Sequence, residues 1–100
     1  MLTKHHVIRE IESNGSKIRQ YGVKKLALIG SYARDEANKD SDIDFLVEFH
    51  AGRGLFDDYI NLMRFLENLF KKDIELIKPS LIRDELKESI LGASKVEAQI

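Results

Sequence analysis

The sequence predicts an α+β fold: a small mixed sheet of three to four strands, with helices packed on one face. Three observations carry that prediction. Residues Asp42 to Phe49 alternate strictly, with Ile43, Phe45, Val47 and Phe49 on one side and Asp42, Asp44, Leu46 and Glu48 on the other. The apolar run Leu26 to Ile29 and the alternating segment Asp73 to Lys78 are short enough for two further strands. Between and before them run stretches whose apolar residues recur at helical spacing. One hundred residues suit a single compact domain spanning residues 1–100.

Taken in order, Thr3 is a candidate cap for a first helix carrying Val7, Ile8, Ile11, Ile18 and Tyr21. Asn14-Gly15-Ser16 interrupts that pattern, which leaves one kinked helix or two short ones, and Gly22 supplies a stop. Leu26 to Ile29 reads as a buried strand closed by Gly30. Tyr32 to Asp40 is polar and turn-rich, with room for one helical turn. After the Asp42–Phe49 strand, Ala51-Gly52-Arg53-Gly54 is a connector, and a mobile Arg53 beside a ligand site is one reading of it. Leu55, Tyr59, Leu62, Met63, Leu66, Leu69 and Phe70 form the stripe of a helix. Tyr59, Phe65 and Phe70 are expected in the core and Phe56 at the surface, while Lys71-Lys72 marks the helix end, where positive charge suits the dipole. In the Asp73–Lys78 strand, Ile74 and Leu76 share one face and Asp73, Glu75 and Ile77 the other. Pro79-Ser80 opens a last helix to about Leu91, with Ser80 as cap, and the tail from Gly92 can add an edge strand.

Composition narrows the function. The formal net charge is −1, so no overall basic field argues for bulk DNA or RNA binding. The absence of cysteine excludes a disulfide framework, a thiolate zinc site and a cysteine nucleophile. No apolar run approaches the roughly 20 residues needed to span a bilayer, and Met1 to His6 has no apolar signal core, so a cytoplasmic location is expected. His5 and His6 are adjacent on a helix without a third ligand nearby, and read as exposed side chains.

The chemistry concentrates in three places. Asp42 and Asp44 leave the same strand face, roughly 6–7 Å apart at Cα. Carboxylates that close repel each other, and a divalent cation removes the penalty. Oxygen ligands without His or Cys suit Mg²⁺ or Mn²⁺, and Mg²⁺ so held completes its shell with water and substrate phosphates. Gly30-Ser31 is the complementary part: a glycine after a buried strand admits a ligand close to the backbone, and successive amides in such a turn cradle phosphate oxygens. Arg34 is placed to reach the same phosphates, with a surface ion pair to Asp35 or Glu36 as the competing use. Glu75 shares the sheet face of Asp42 and Asp44. A third carboxylate there serves a two-metal nucleotidyl transfer and can help deprotonate an attacking hydroxyl. Asp73 shares that face and competes for the role, but Glu75 lies deeper in the strand, where it is held more rigidly, and is the expected third acid.

Gly30-Ser31, ten intervening residues, then Asp42-x-Asp44 resembles the signature of the DNA polymerase β-type nucleotidyltransferase superfamily. The string GSYARDEANKDSDIDFLVEF is similar to that of its smallest members, the minimal nucleotidyltransferase (MNT) proteins, and the likeness runs from about Leu26 to Ile77. The resemblance implies that Gly30 and Ser31 contact nucleotide phosphates, that Asp42 and Asp44 bind Mg²⁺, and that an acid on the later strand completes the triad. Two departures stand out. Family members commonly read Ala-Arg-Gly where this chain reads Ala33-Arg34-Asp35, and the third acid is usually Asp rather than Glu75.

The expected activity is transfer of AMP from Mg-ATP to a hydroxyl, with release of pyrophosphate. The MNT resemblance implies the antitoxin half of a toxin–antitoxin pair, acting on a tyrosine of a small helical HEPN-type ribonuclease. The rivals are an antitoxin that works by occlusion with a weak catalytic site, and an enzyme that modifies a small molecule. So short a chain has no evident lobe for a small-molecule acceptor, and self-association stays open.

Overall fold

The computed structural model describes residues 2–81, 85 and 95–100. Helix α1 spans Lys4–Ser13 and starts as expected, because the Thr3 hydroxyl accepts the His6 N–H at 3.2 Å. The Asn14-Gly15 interruption yields two helices, with α2 at Gly15–Arg19. Strand β1 runs from Val23 to Ile29, three residues earlier than the apolar run suggests. Its start is hidden in the sequence because a bulge between Val23 and Lys25 breaks the alternation and leaves Lys24 and Lys25 exposed. A one-turn helix α3 follows at Gly30–Ala33, then β2 at Ile43–Phe49, α4 at Phe56–Phe70 and β3 at Ile74–Ile77. Pro79–Leu81 form a single 3₁₀ turn, and the rest of the expected last helix lies outside the described residues. The C-terminal tail does add an edge strand, β4, at Val96–Glu97.

The sheet order is β3-β2-β1-β4. β1 runs antiparallel to β2 and to β4, while β2 and β3 are parallel. Period-two alternation then sorts the side chains. Leu26, Leu28, Ile43, Phe45, Val47, Ile74 and Leu76 join Val7, Ile11, Ile18, Leu62 and Leu66 in one buried core between the sheet and α1, α2 and α4. Leu62 and Leu66 are wholly buried, so truncating either to Ala costs about 2–5 kcal/mol. Tyr59, Phe65 and Phe70 pack against this core as expected, and Phe56 is exposed. The opposite face carries a smaller apolar group, Ala27, Ile29, Leu46 and Ile77, beside Asp44 and Glu75. No helix among the described residues is long and apolar enough to cross a membrane.

Arg53 is not a mobile arm at the ligand site. Its guanidinium donates to Asp58 through Nε and Nη2 at 2.8 and 2.9 Å, and Nη2 also donates to the Gln20 carbonyl at 3.0 Å. It lies across Gly22, where a Cβ would stand 2.7 Å from that of Arg53. This cluster sits where Val23 pairs with Phe49, at the far end of β1 and β2 from Ile29 and Asp44.

Candidate active site

The site forms where β1 ends, β2 begins and β3 begins, because antiparallel pairing of β1 with β2 and parallel pairing of β2 with β3 bring those three ends together. Ile29 pairs with Asp44, and Asp44 pairs with Glu75. Gly30 follows at φ 73°, a backbone conformation that glycine adopts without steric penalty. A Cβ there would press on the Asp44 carboxylate and stand 3.1 Å from its Cγ. The glycine therefore does two things: it turns the chain from strand into α3, and it leaves room for the carboxylate. Ser31 is half-buried in that turn and its carbonyl accepts the Glu36 N–H at 2.9 Å.

Asp44 has an unusual electrostatic setting. Its carboxyl is pushed up from 3.8 to about 6, first by burial, then by its hydrogen bond with Glu75, then by the negative charges of Glu75 and Asp42; Arg34 opposes the shift. Its Oδ1 is buried and has no hydrogen-bond partner among the described residues. An orphaned buried carboxylate oxygen is costly, and a bound cation would relieve both the orphan and the like charges. Asp42 is exposed at the mouth of the site, one residue before β2. Among the described residues no three acidic or histidine side chains close into a complete ligand cage. Mg²⁺ does not need one, since it is commonly held by one or two carboxylates with water and substrate phosphates. The all-oxygen donor set and the orphaned Oδ1 fit that ion.

Of the two candidates for the third acid, the structure places Glu75 opposite Asp44. Asp73 lies before β3, where its carbonyl accepts the Ile43 N–H at 3.1 Å and its side chain is exposed. Arg34 is exposed and pairs with Glu36 at 3.3 Å, while its charge still reaches Asp44. Asp35 takes a left-handed φ of 58°, so the turn keeps a glycine-like backbone at the position where the resemblance expects glycine. The strain is of order 1–2 kcal/mol, and Asp is among the residues that tolerate it best. Its carboxylate turns to Lys4, 3.0 Å away. Nothing in the local pattern signals that pair, because it joins the first turn of α1 to the end of α3.

The fold is that of nucleotidyltransferases, and a model of the nucleotidyltransferase domain matches residues 8–96. The chain belongs to that family of enzymes. A Methanocaldococcus jannaschii protein provisionally named protein adenylyltransferase MJ0435 is 40% identical over 73 residues, covering 73% of this chain and 77% of the relative. The protein adenylyltransferase MntA of Thermococcus cleftensis is 30% identical over 92 residues, covering 91% of this chain and 92% of that one. A solved structure provisionally described as a minimal nucleotidyltransferase superposes with a TM-score of 0.78 at 29% identity, over 93% of this chain and 94% of that one. A toxin–antitoxin crystal structure with AMP-PNP shares the fold, with a TM-score of 0.66 at 19% identity, over 86% of this chain and 70% of that one.

Proposed function

We propose that this nucleotidyltransferase moves AMP from ATP to a protein hydroxyl. The observation that carries the reading is the convergence of Gly30 and Glu75 on the Asp44 carboxylate, whose buried Oδ1 has no hydrogen-bond partner among the described residues. In this reading the α3 turn at Gly30-Ser31 holds the nucleotide phosphates through its backbone amides and the Ser31 hydroxyl, and Arg34 leaves Glu36 to pair with them. Asp42, Asp44 and Glu75 would hold Mg²⁺, two ions when the site is full. A metal held there would supply positive charge against the nucleotide phosphates. Glu75 takes the proton of the incoming hydroxyl. The bond from that oxygen to the α-phosphorus forms as the bond to the β-phosphate oxygen breaks, and pyrophosphate leaves.

The acceptor we infer is a tyrosine on a small helical partner of the HEPN ribonuclease type, which makes the chain an antitoxin. The MNT likeness supports this, as do a relative named protein adenylyltransferase and a fold neighbour described as a toxin–antitoxin pair. The test is intact-mass spectrometry of a helical neighbour co-expressed with this chain. A mass gain of one adenylyl group is expected with wild type and none with Asp42→Asn/Asp44→Asn. The Arg34–Glu36 pair, which diverts a phosphate ligand, favours one rival, neutralisation by occlusion. That rival wins if the double variant still protects cells and no adduct forms with wild type.

A further inference from the structure

We propose that Lys95 binds the pyrophosphate end of the nucleotide and steadies it as the leaving group. The proposal rests on the nucleotidyl-transfer reading above and deepens it by adding a residue to that site. No motif in the sequence marks Lys95; the sheet register brings it in. β4 pairs antiparallel with β1, with Leu28 opposite Val96 and Ala27 opposite Glu97. The Ala98 N–H continues the ladder, donating to the Leu26 carbonyl at 3.0 Å. One step the other way, the same register sets Lys95 opposite Ile29, the residue before Gly30. Ile29 in turn pairs with Asp44, and Asp44 with Glu75. Four strand ends thus lie in one row across the sheet, in the order Glu75, Asp44, Ile29, Lys95.

Strand alternation decides which face Lys95 takes. Val96, Ala98 and Ile100 pack against the core, so Lys95 and Glu97 turn to the opposite face. That face carries Ala27 and Ile29 beside Asp44 and Glu75. The ion pair of Lys95 Nζ with Glu97 Oε1 at 3.7 Å agrees, since residues two apart on a strand share a face. Neighbouring strands lie about 4.8 Å apart, so Lys95 starts one strand away from Ile29, and its four-carbon stem lets the ammonium reach the Gly30-Ser31 turn. The segment that carries it is anchored. The Gln99 N–H donates to Glu12 Oε2 at 2.8 Å, and Ile100 lies over Gly15, where a Cβ would stand 3.5 Å from the Ile100 Cα.

The order of the row assigns the role. Glu75 takes the proton of the attacking hydroxyl at the β3 end. In-line displacement puts the leaving oxygen on the far side of the α-phosphorus, toward β1 and β4. Negative charge develops there as the bond to the β-phosphate oxygen breaks, and a cation placed to meet it stabilises the transition state. The pair that Lys95 makes with Glu97 is long and partly exposed. Such pairs are worth little, so phosphate oxygens can displace Glu97.

The test is an NMR titration of the whole ¹⁵N-labelled chain with Mg-ATP and with AMP. Mg-ATP is expected to shift the amides of Gly30, Ser31 and Lys95. AMP has no β- or γ-phosphate and should leave Lys95 unmoved. Lys95→Met removes the charge and keeps the length of the side chain. It should weaken Mg-ATP about fivefold or more, the scale of one partly screened charge contact, at an unchanged melting temperature, and Lys95→Arg should restore the binding. A Lys95 amide as responsive to AMP as to Mg-ATP, or Mg-ATP affinity unchanged in Lys95→Met, overturns the proposal. Should Lys95→Met fail to fold, the response of Lys95 in the wild-type chain decides alone. If Mg-ATP moves Gly30 and Ser31 but not Lys95, only this assignment fails. If Mg-ATP leaves Gly30 and Ser31 unmoved, the nucleotidyl-transfer reading fails and the role of Lys95 falls with it.

Discussion

Glu75 stands opposite Asp44 on the adjacent parallel strand, and their carboxyl groups share a hydrogen bond. That bond, with burial, favours the protonated form of the Asp44 carboxyl. Fold and ligand therefore make opposite demands on Asp44. Asp44→Asn removes a charge from the cluster with little change of shape, and the melting temperature is expected to hold or rise. Mg-ATP binding should fall at least about tenfold, or about 1.4 kcal/mol. Calorimetry with and without Mg-ATP measures both, and unchanged nucleotide affinity would remove the metal role.

The same pair sets a pH dependence. The Asp44 carboxyl is raised from 3.8 to about 6, so the folded chain holds this proton more tightly than the unfolded one. Its contribution to stability is fully present below the unfolded value and is lost as pH rises through about 6. Ligation runs the other way, because a cation requires the ionised form. Mg-ATP affinity is expected to weaken as pH falls through about 6, and Asp44→Asn should flatten that profile. A wild-type profile that stays flat across this range would sink the assignment.

Gly30→Ala tests the close approach of β1 to the carboxylate. The left-handed φ alone costs an L-residue about 1–2 kcal/mol, and the added methyl must also displace the Asp44 side chain. Denaturant unfolding should show a loss of at least that size, with nucleotide transfer abolished. Retained transfer would mean that the phosphates bind elsewhere.

Much of this geometry was legible because it is local. Period two, with Ile43, Phe45, Ile74 and Leu76 turned to the core, puts Asp42, Asp44 and Glu75 on one sheet face, and a glycine ending an apolar run marks the turn at Gly30. The order and register of the strands were not legible; depth in the strand already favours Glu75 over Asp73, and the β2–β3 register then sets Glu75 against Asp44. Lys71-Lys72 reads as an ordinary helix end, since the left-handed cap and the reach of Lys72 to Lys39 depend on tertiary placement. Arg53 misleads for a related reason: flanking glycines suggest freedom, yet the missing Cβ at Gly22 lets its side chain lie over that turn and meet Asp58.

Arg53 accordingly gives the control prediction. Its bonds to Asp58 and Gln20 join the turn before β1 to the start of α4, and the Gly54 N–H adds a third donor to Asp58 at 2.9 Å. The Asp58 carboxyl is held down at about 2, first by the Arg53 hydrogen bonds and then by the Gly54 amide. A depressed carboxylate contributes stability above its unfolded pKa and loses it as pH falls from about 4 toward about 2. Arg53→Ala should therefore lower the melting temperature at neutral pH and shrink the acid-induced loss over that range. Mg-ATP affinity should not change, because the cluster lies at the Val23–Phe49 end of the sheet and Asp44 at the other. Melting curves across pH, paired with nucleotide calorimetry at neutral pH, separate the two roles. A fall in nucleotide affinity without loss of fold would show that Arg53 reaches the nucleotide after all.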